Sequence, residues 1–277
     1  MKNQKSIDEL FSEYESSEVI FVRALDKKKY SLQTINYWRK QGQLKSVCHG
    51  IVCAPEKYSL DTECCIADFV SQLGHGIRIG AASALAIYGY KVPKLPDDAL
   101  VVSLGEHFNN IPAWTSASML DRPVYMFRTN LFPVPETRMV EHNGILVPVS
   151  SPEEALMECI MLAATRCYRY EDIYAVLRQM KNIRVDVIQR LLETMTNKKA
   201  KRMFLFMAEN LGKTWFKSLD LTRIRLGRGI YVAAKHGRLV NKYHIIVPQS
   251  IYDDGEFDRN PEKYGIRRRK KKELAQS

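Results

Sequence analysis

The chain has 277 residues, 45% hydrophobic and 26% charged, which is enough apolar sequence for a sizeable core and too much for wholesale disorder. Its formal net charge of +11 and isoelectric point near 9.3 favour a polyanionic or acidic partner, such as nucleic acid, an anionic surface or an acidic protein face. No apolar run approaches the roughly 20 residues of a spanning helix, and the opening MKNQKSIDELFSEYESS lacks a signal-peptide core, so a cytoplasmic protein with no membrane partner is expected.

Ser6-Ile7-Asp8-Glu9 fits a capping box, and Ile7, Leu10, Phe11 and Tyr14 supply the apolar stripe of a first helix. After Val19 to Val22 the chain turns basic, with Arg23, Lys27, Lys28 and Lys29 against Asp26. Ser31 is placed to cap a second helix from Leu32 to Gln41, stopped by Gly42. Leu32, Ile35 and Trp38 recur at i, i+3 and i+6 and should pack inward. Gln33, Thr34, Asn36, Tyr37, Arg39 and Lys40 then project elsewhere. Amides pair with adenine edges, Arg with guanine, and Lys or Tyr with phosphate oxygens, so this is a candidate recognition helix. Short strands at Gln43 to Val47 and Ile51 to Ala54 flank Cys48-His49-Gly50 and form a hairpin wing. Helices followed by such a hairpin make a winged helix-turn-helix. The expected DNA-contacting residues are Ser31, Gln33, Thr34, Asn36, Tyr37, Arg39 and Lys40, with Lys45 and His49 on the wing. A winged domain that contacts protein is the competing reading.

Cys48, Cys53, Cys64, Cys65, Cys159 and Cys167 include no C-x-x-C pair, and the six histidines are scattered, so buried thiols are expected and no metal or cofactor. Ile66 to Leu73 is helical in pattern. Gly74-His75-Gly76-Ile77-Arg78-Ile79-Gly80 follows, ahead of an alanine-rich helix from Ala81 to Tyr88. The glycines do not make a dinucleotide loop, because the last comes one residue late and the segment before them reads as helix. Prolines at 93, 96, 112, 123, 133 and 135 break strand-like pieces at Ala99 to Ser103 and Val124 to Arg128. A small α/β region is expected.

Ser151-Pro152-Glu153-Glu154 opens the next helix with a serine cap and proline at its first position. Ala155, Leu156, Cys159, Ile160 and Ala163 form its buried stripe, and amphipathic segments follow near Ile173 to Met180 and Val185 to Met195. From Ala200, Phe204, Met207, Ala208 and Leu211 mark one more helix, ended by Gly212. Ile224, Leu226, Ile230 and Val232 around Gly227-Arg228-Gly229 read as a hairpin, and Tyr243, Ile245 and Val247 as a strand ending at Pro248. The fold class is α+β: a winged helix-turn-helix over 1–60, an α/β middle region over 61–149, and a C-terminal domain of helices and a small sheet over 150–250. Residues 251–277 read as a charged tail, expected to be disordered, whose run Arg267 to Lys272 attracts phosphate without reading sequence.

Several of these stretches resemble AbiEi-type antitoxins of type IV toxin-antitoxin systems. The segments KRMFLFMAE, W, LD, I-LG-G and KYHIIVP between Lys201 and Pro248 resemble the family's C-terminal domain in order and spacing. Leu32 to Tyr58 is similar to its winged domain, and GAASALAIYGY and SPEEALMECI resemble two of its helices. The chain departs from the pattern at Ile230 and Tyr231, where basic residues are usual, and at His236, where a glycine is expected. The resemblance implies a transcriptional repressor that binds inverted repeats in its own promoter and counteracts a nucleotidyltransferase toxin of the AbiEii type. Lys201, Arg202, Arg223, Arg225 and Arg228 are the candidates for antitoxin action or DNA-backbone contact, from their charge and their place in the matching domain. No enzyme is expected, since Glu-x-Lys, Gly-Ser, P-loop, G-x-S-x-G and H-E-x-x-H patterns are all missing from the sequence. The alternative is a plain DNA-binding regulator with a partner- or ligand-sensing C-terminal domain.

Overall fold

The computed structural model describes residues 6–74, 76–105, 111–129, 131–132, 134–165 and 167–255, and the chain divides into two compact units, 1–159 and 160–277. In the first, α1 (Ile7–Glu13) starts at its capping box: Glu9 N donates to the Ser6 hydroxyl at 3.2 Å and Ser6 N to the Glu9 carboxylate at 2.8 Å. There follow β1 (Ile20–Phe21), a 3-10 turn at Val22–Ala24, α2 (Leu32–Lys40), β2 (Lys45–Cys48) and β3 (Ile51–Cys53), with the strands in the antiparallel order β1-β3-β2. This is a winged helix-turn-helix in which the helix ahead of α2 is reduced to the 3-10 turn. Leu10, Ile20, Leu25, Tyr30, Ile35, Trp38, Leu44 and Val52 form its core. Leu32, expected to face inward, is 66% exposed. It is the first residue of α2 and lines a cavity of about 490 Å³ together with Phe21, Phe69 and Trp114.

β1 is an edge strand whose outer backbone needs partners. α3 (Thr62–Leu73) supplies them from side chains: Phe21 N donates to Gln72 at 2.9 Å, and Gln72 donates to the Val19 carbonyl at 2.8 Å. The Asp68 carboxylate accepts from Glu18 N at 2.7 Å and Val19 N at 2.9 Å. Asp68 is buried, and desolvation pushes its pKa from 3.8 up to about 6 despite those two donors. A raised carboxylate pKa favours the protonated form in the fold, so its stabilisation is full below pH 3.8 and is lost as pH rises through about 6. Asp68→Asn keeps an acceptor and removes the titration. The urea-unfolding free energy of the wild type should therefore fall relative to Asp68→Asn by about 2 kcal/mol between about pH 4 and about pH 7.

β4 (Ile77–Ile79), α4 (Ala81–Ile87), β5 (Leu100–Leu104), β6 (Val124–Arg128), β7 (Thr137–His142) and β8 (Ile145–Ser150) build a mixed five-stranded sheet of order β6-β5-β4-β8-β7. β4 runs parallel to β8 and β5 to β6, while β4–β5 and β7–β8 are antiparallel. Every residue of β4 and β5 is buried, which suits strands covered on both faces. Gly74 takes the left-handed cap of α3, at φ 66°. A Cβ at Gly80 would lie 2.8 Å from a Glu158 oxygen and 3.1 Å from Ser103 Cβ. The last glycine of the string thus admits a carboxylate, the opposite of a phosphate cradle.

Glu158 belongs to α5 (Pro152–Ala163). Arg78 Nη2 pairs with Glu154 and, at 3.0 Å, with Glu158, while its Nε donates to Ser150 at 2.8 Å. Ala81 N also donates to Glu158, at 2.7 Å. Burial first, and then the Glu158 charge, hold Glu154 above the ordinary carboxylate range. These contacts draw the start of α5 into the first unit, so its limit falls inside the helix, at Cys159, and not at the Ser151 cap. All six cysteines are free thiols; Cys53, Cys64, Cys65 and Cys159 are buried and Cys48 and Cys167 half-buried.

The second unit holds α6 (Tyr170–Gln179), α7 (Val185–Thr194), α8 (Lys198–Asn210), β9 (Tyr231–Val232), β10 (Arg238–Val240), β11 (Ile245–Val247) and α9 (Gln249–Asp254). Its sheet has the order β10-β11-β9, with β9 parallel to β11. α8 is its central helix, buried at every residue from Ala200 to Ala208 and ending ahead of Gly212 at φ 58°. The expected hairpin around Gly227-Arg228-Gly229 does not form. Residues 224–226 stay outside any strand, because the carbonyls of the loop turn onto Arg202 instead of a neighbouring strand. Past Pro248, α9 buries Ile251, whose carbonyl accepts from Asn210 at 2.7 Å. Residues 251–254, assigned to the tail from composition, therefore continue the fold; the basic run Arg267 to Lys272 lies outside the described residues. Among the described residues no helix is long and apolar enough to cross a membrane.

Candidate nucleic-acid interface

α2 presents the outward face expected of it, with two exceptions. Gln33, Asn36, Tyr37, Arg39 and Lys40 are exposed, and Ile35 and Trp38 pack into the core. Ser31 and Thr34 are consumed by the cap: Thr34 N donates to the Ser31 hydroxyl at 3.1 Å, and the two hydroxyls are 2.8 Å apart. Thr34 is buried, so it holds the helix start in place and does not face a ligand. Both residues match the hydroxyl types found at DNA contacts, but a helix start at Ser31 has unsatisfied N–H groups that the Ser31 hydroxyl reaches first, with the Thr34 hydroxyl bonded to it.

Arg39 joins α2 to the wing. Its Nη1 donates to the Asn36 side chain at 3.3 Å and its Nη2 to the Ser46 hydroxyl on β2 at 3.2 Å. Both bonds are exposed, so the guanidinium is aimed along the seam between helix and wing. Ser46, which sequence reasoning missed, thereby becomes a positioning residue. The wing turn carries an exposed His49 ahead of Gly50 at φ 74°, a backbone conformation suited to glycine. Lys45 is placed differently from the expectation. Its ammonium donates to the Lys57 carbonyl at 2.8 Å and lies 4.6 Å from the centre of the Tyr58 ring, so its charge is engaged within the fold. The exposed set on one helix and its wing is therefore Gln33, Asn36, Tyr37, Arg39, Lys40 and His49.

In the second unit the candidate cations separate by burial. Lys201 and Arg202, named as candidates for antitoxin action or DNA-backbone contact, have side chains among the most completely buried of the described residues, which takes them off the surface. Lys201 donates to the Arg225 carbonyl at 3.3 Å. The Arg202 guanidinium donates to the carbonyls of Leu226 (2.7 and 3.0 Å), Gly227 (3.0 Å), Gly229 (2.7 Å) and His244 (2.7 Å), and stands 4.6 Å from the centre of the Tyr231 ring. A charge without a carboxylate partner is tolerable inside a protein when its donors are met by this many dipoles. Arg223 is exposed and pairs with Glu193 at 2.8 Å. Arg225 and Arg228 are exposed on the loop whose carbonyls Lys201 and Arg202 hold. The buried pair thus shapes the loop, and the loop displays the outer arginines.

The wing trio Cys48, His49 and Cys53 forms no ligand cluster, since Cys53 is buried in β3 and the Cys48 thiol lies 3.9 Å from the His49 carbonyl. Among the described residues, one group of potential metal ligands does converge, Asp61, Cys64 and His142. Spacing gave no sign of it, because His142 enters from the far end of β7.

A family model described as "Transcriptional regulator, AbiEi antitoxin, Type IV TA system" matches residues 99–248, and one described as the AbiEi antitoxin N-terminal domain matches residues 3–92. Comparison with the curated proteins gives no match. Among solved structures, the crystal structure of the RV2827C protein from Mycobacterium tuberculosis is similar at a TM-score of 0.57 and 14% identity, over 87% of this chain and 89% of that one. At this identity the likeness is one of fold.

Proposed function

Because the chain belongs to the AbiEi antitoxin family, the transcriptional regulators of type IV toxin-antitoxin systems, we propose that its winged helix-turn-helix binds inverted repeats in its own promoter and represses transcription. This family is not a class of enzymes. The observation that carries the proposal is the continuous polar face of Gln33, Asn36, Tyr37, Arg39 and Lys40 on α2, locked to the wing through the Arg39–Ser46 bond. Amide and guanidinium groups on one helix face suit base edges in a major groove, and Lys40 and Tyr37 suit the flanking phosphates. We further propose that the second unit counteracts a nucleotidyltransferase toxin of the AbiEii type, with Arg225 and Arg228 on its exposed loop as the residues that act.

Fluorescence anisotropy with labelled DNA from upstream of the gene and with a scrambled duplex, titrated at two salt concentrations, tests the first proposal. Tighter binding to the upstream duplex that persists as salt rises is the expected result. Phosphate attraction alone ignores sequence and weakens steeply with salt, so equal, salt-sensitive binding to both duplexes would refute operator reading. Co-expression with the toxin tests the second: Arg225→Ala with Arg228→Ala should lose protection while repression is retained.

A further inference from the structure

Asp61 is the N-cap of α3 and Cys64 lies three residues on, so the two stand on one side of the first turn. His142 ends β7 at the Asn143-Gly144 turn, whose residues have φ of 49° and 79°. One donor atom from each of Asp61, Cys64 and His142 lies within 4.8 Å of the others. His142 Nε2 is 2.9 Å from Asp61 Oδ2, and Asn143 Nδ2 donates to the same oxygen at 2.8 Å. The other carboxylate oxygen, Oδ1, accepts from Cys64 N at 2.9 Å, which orients the group. We propose that Asp61, Cys64 and His142 form a zinc site that fastens the first turn of α3 to the β7–β8 hairpin.

Bonds of about 2.0–2.3 Å to Zn²⁺ place tetrahedral ligand atoms roughly 3.3–3.8 Å apart, so the three donors need to shift by no more than about an ångström. A thiolate, an imidazole and a carboxylate suit Zn²⁺ or Co²⁺, whereas Mg²⁺ and Ca²⁺ require an all-oxygen shell. The two anionic ligands neutralise the cation. The Cys64 side chain is buried, while Asp61 is 23% and His142 37% exposed, so the open side faces solvent and admits water as fourth ligand. An outer contact is also in place, since Asp61 N donates to Glu18 at 3.0 Å and Glu18 pairs with Lys57. The site would therefore brace the segment that joins the wing strands to α3.

Titration of the chelator-treated full chain with Co²⁺ tests the assignment, because a cobalt–thiolate bond has a charge-transfer band that oxygen and nitrogen ligands do not produce. One equivalent of Co²⁺ should raise that band, Zn²⁺ should displace it, and Cys48→Ser should leave it unchanged. Cys64→Ser, shown folded by circular dichroism, should abolish it. Loss of an outer-shell partner alone costs about 10–100-fold in metal affinity, so His142→Ala, on an exposed hairpin end, should weaken binding by at least about tenfold. A wild-type titration without the band, a band that survives Cys64→Ser, or unchanged affinity in His142→Ala would overturn the proposal.

Discussion

Replacing Arg202 by Met should destabilise the second unit by at least about 3 kcal/mol, a large part of the roughly 5–15 kcal/mol that keeps a domain folded. The guanidinium serves the carbonyls of Leu226, Gly227, Gly229 and His244 from inside α8; the His244 carbonyl also accepts from Tyr231 N at 3.0 Å, while the three loop carbonyls lie outside any strand. Met fills much of the volume but offers no donor, so the loop loses the contacts that shape it. Arg202→Lys should fall between the two, because a single ammonium cannot reach both edges of the loop as a planar fork does. Urea unfolding followed by circular dichroism measures the loss. Limited proteolysis should show new cleavage at Arg225 and Arg228, the exposed trypsin sites on that loop. Wild-type stability in Arg202→Met would mean that water satisfies these carbonyls.

Arg39→Glu combined with Lys40→Glu should lower affinity for the upstream duplex by more than about 100-fold at moderate salt, since two cations on the proposed DNA-binding face become anions. Single substitutions separate the roles. Lys40→Ala should weaken binding to all sequences alike and reduce the salt slope by about 1. Asn36→Ala should instead narrow the difference between operator and scrambled DNA by about 1–3 kcal/mol with the slope unchanged. Ser46→Ala, which removes the wing-side partner of Arg39, should weaken specific binding without touching DNA itself. Thr34→Ala should act through stability of the helix start, because Thr34 is buried against Ser31. If Thr34→Ala abolished base discrimination while leaving the unfolding curve unchanged, the assignment of α2's outward face would be wrong.

The sequence alone determined the elements whose causes lie within a turn or two of chain. The Ser6, Ser31 and Ser151 caps stand where they were expected, because each hydroxyl meets an N–H three residues away. The stripes of α6, α7 and α8 follow from apolar spacing at 3.6 residues per turn, and β5 and β6 from their apolar runs. The outward face of α2 was legible for the same reason.

Only the tertiary structure decided which charged and polar residues remain available to a partner. Lys201 and Arg202 belong to a basic stretch, yet their bonding partners lie 24 to 42 residues on, and those carbonyls take both side chains into the interior. Lys45 is engaged by a carbonyl 12 residues away, and Asp61 meets His142 across 81 residues. Gly80 resembled part of a phosphate loop until Glu158, arriving on α5, explained the space beside it. Backbone propensity acts over a few residues and is written locally, whereas desolvation and pairing of a side chain depend on whichever distant segment packs against it.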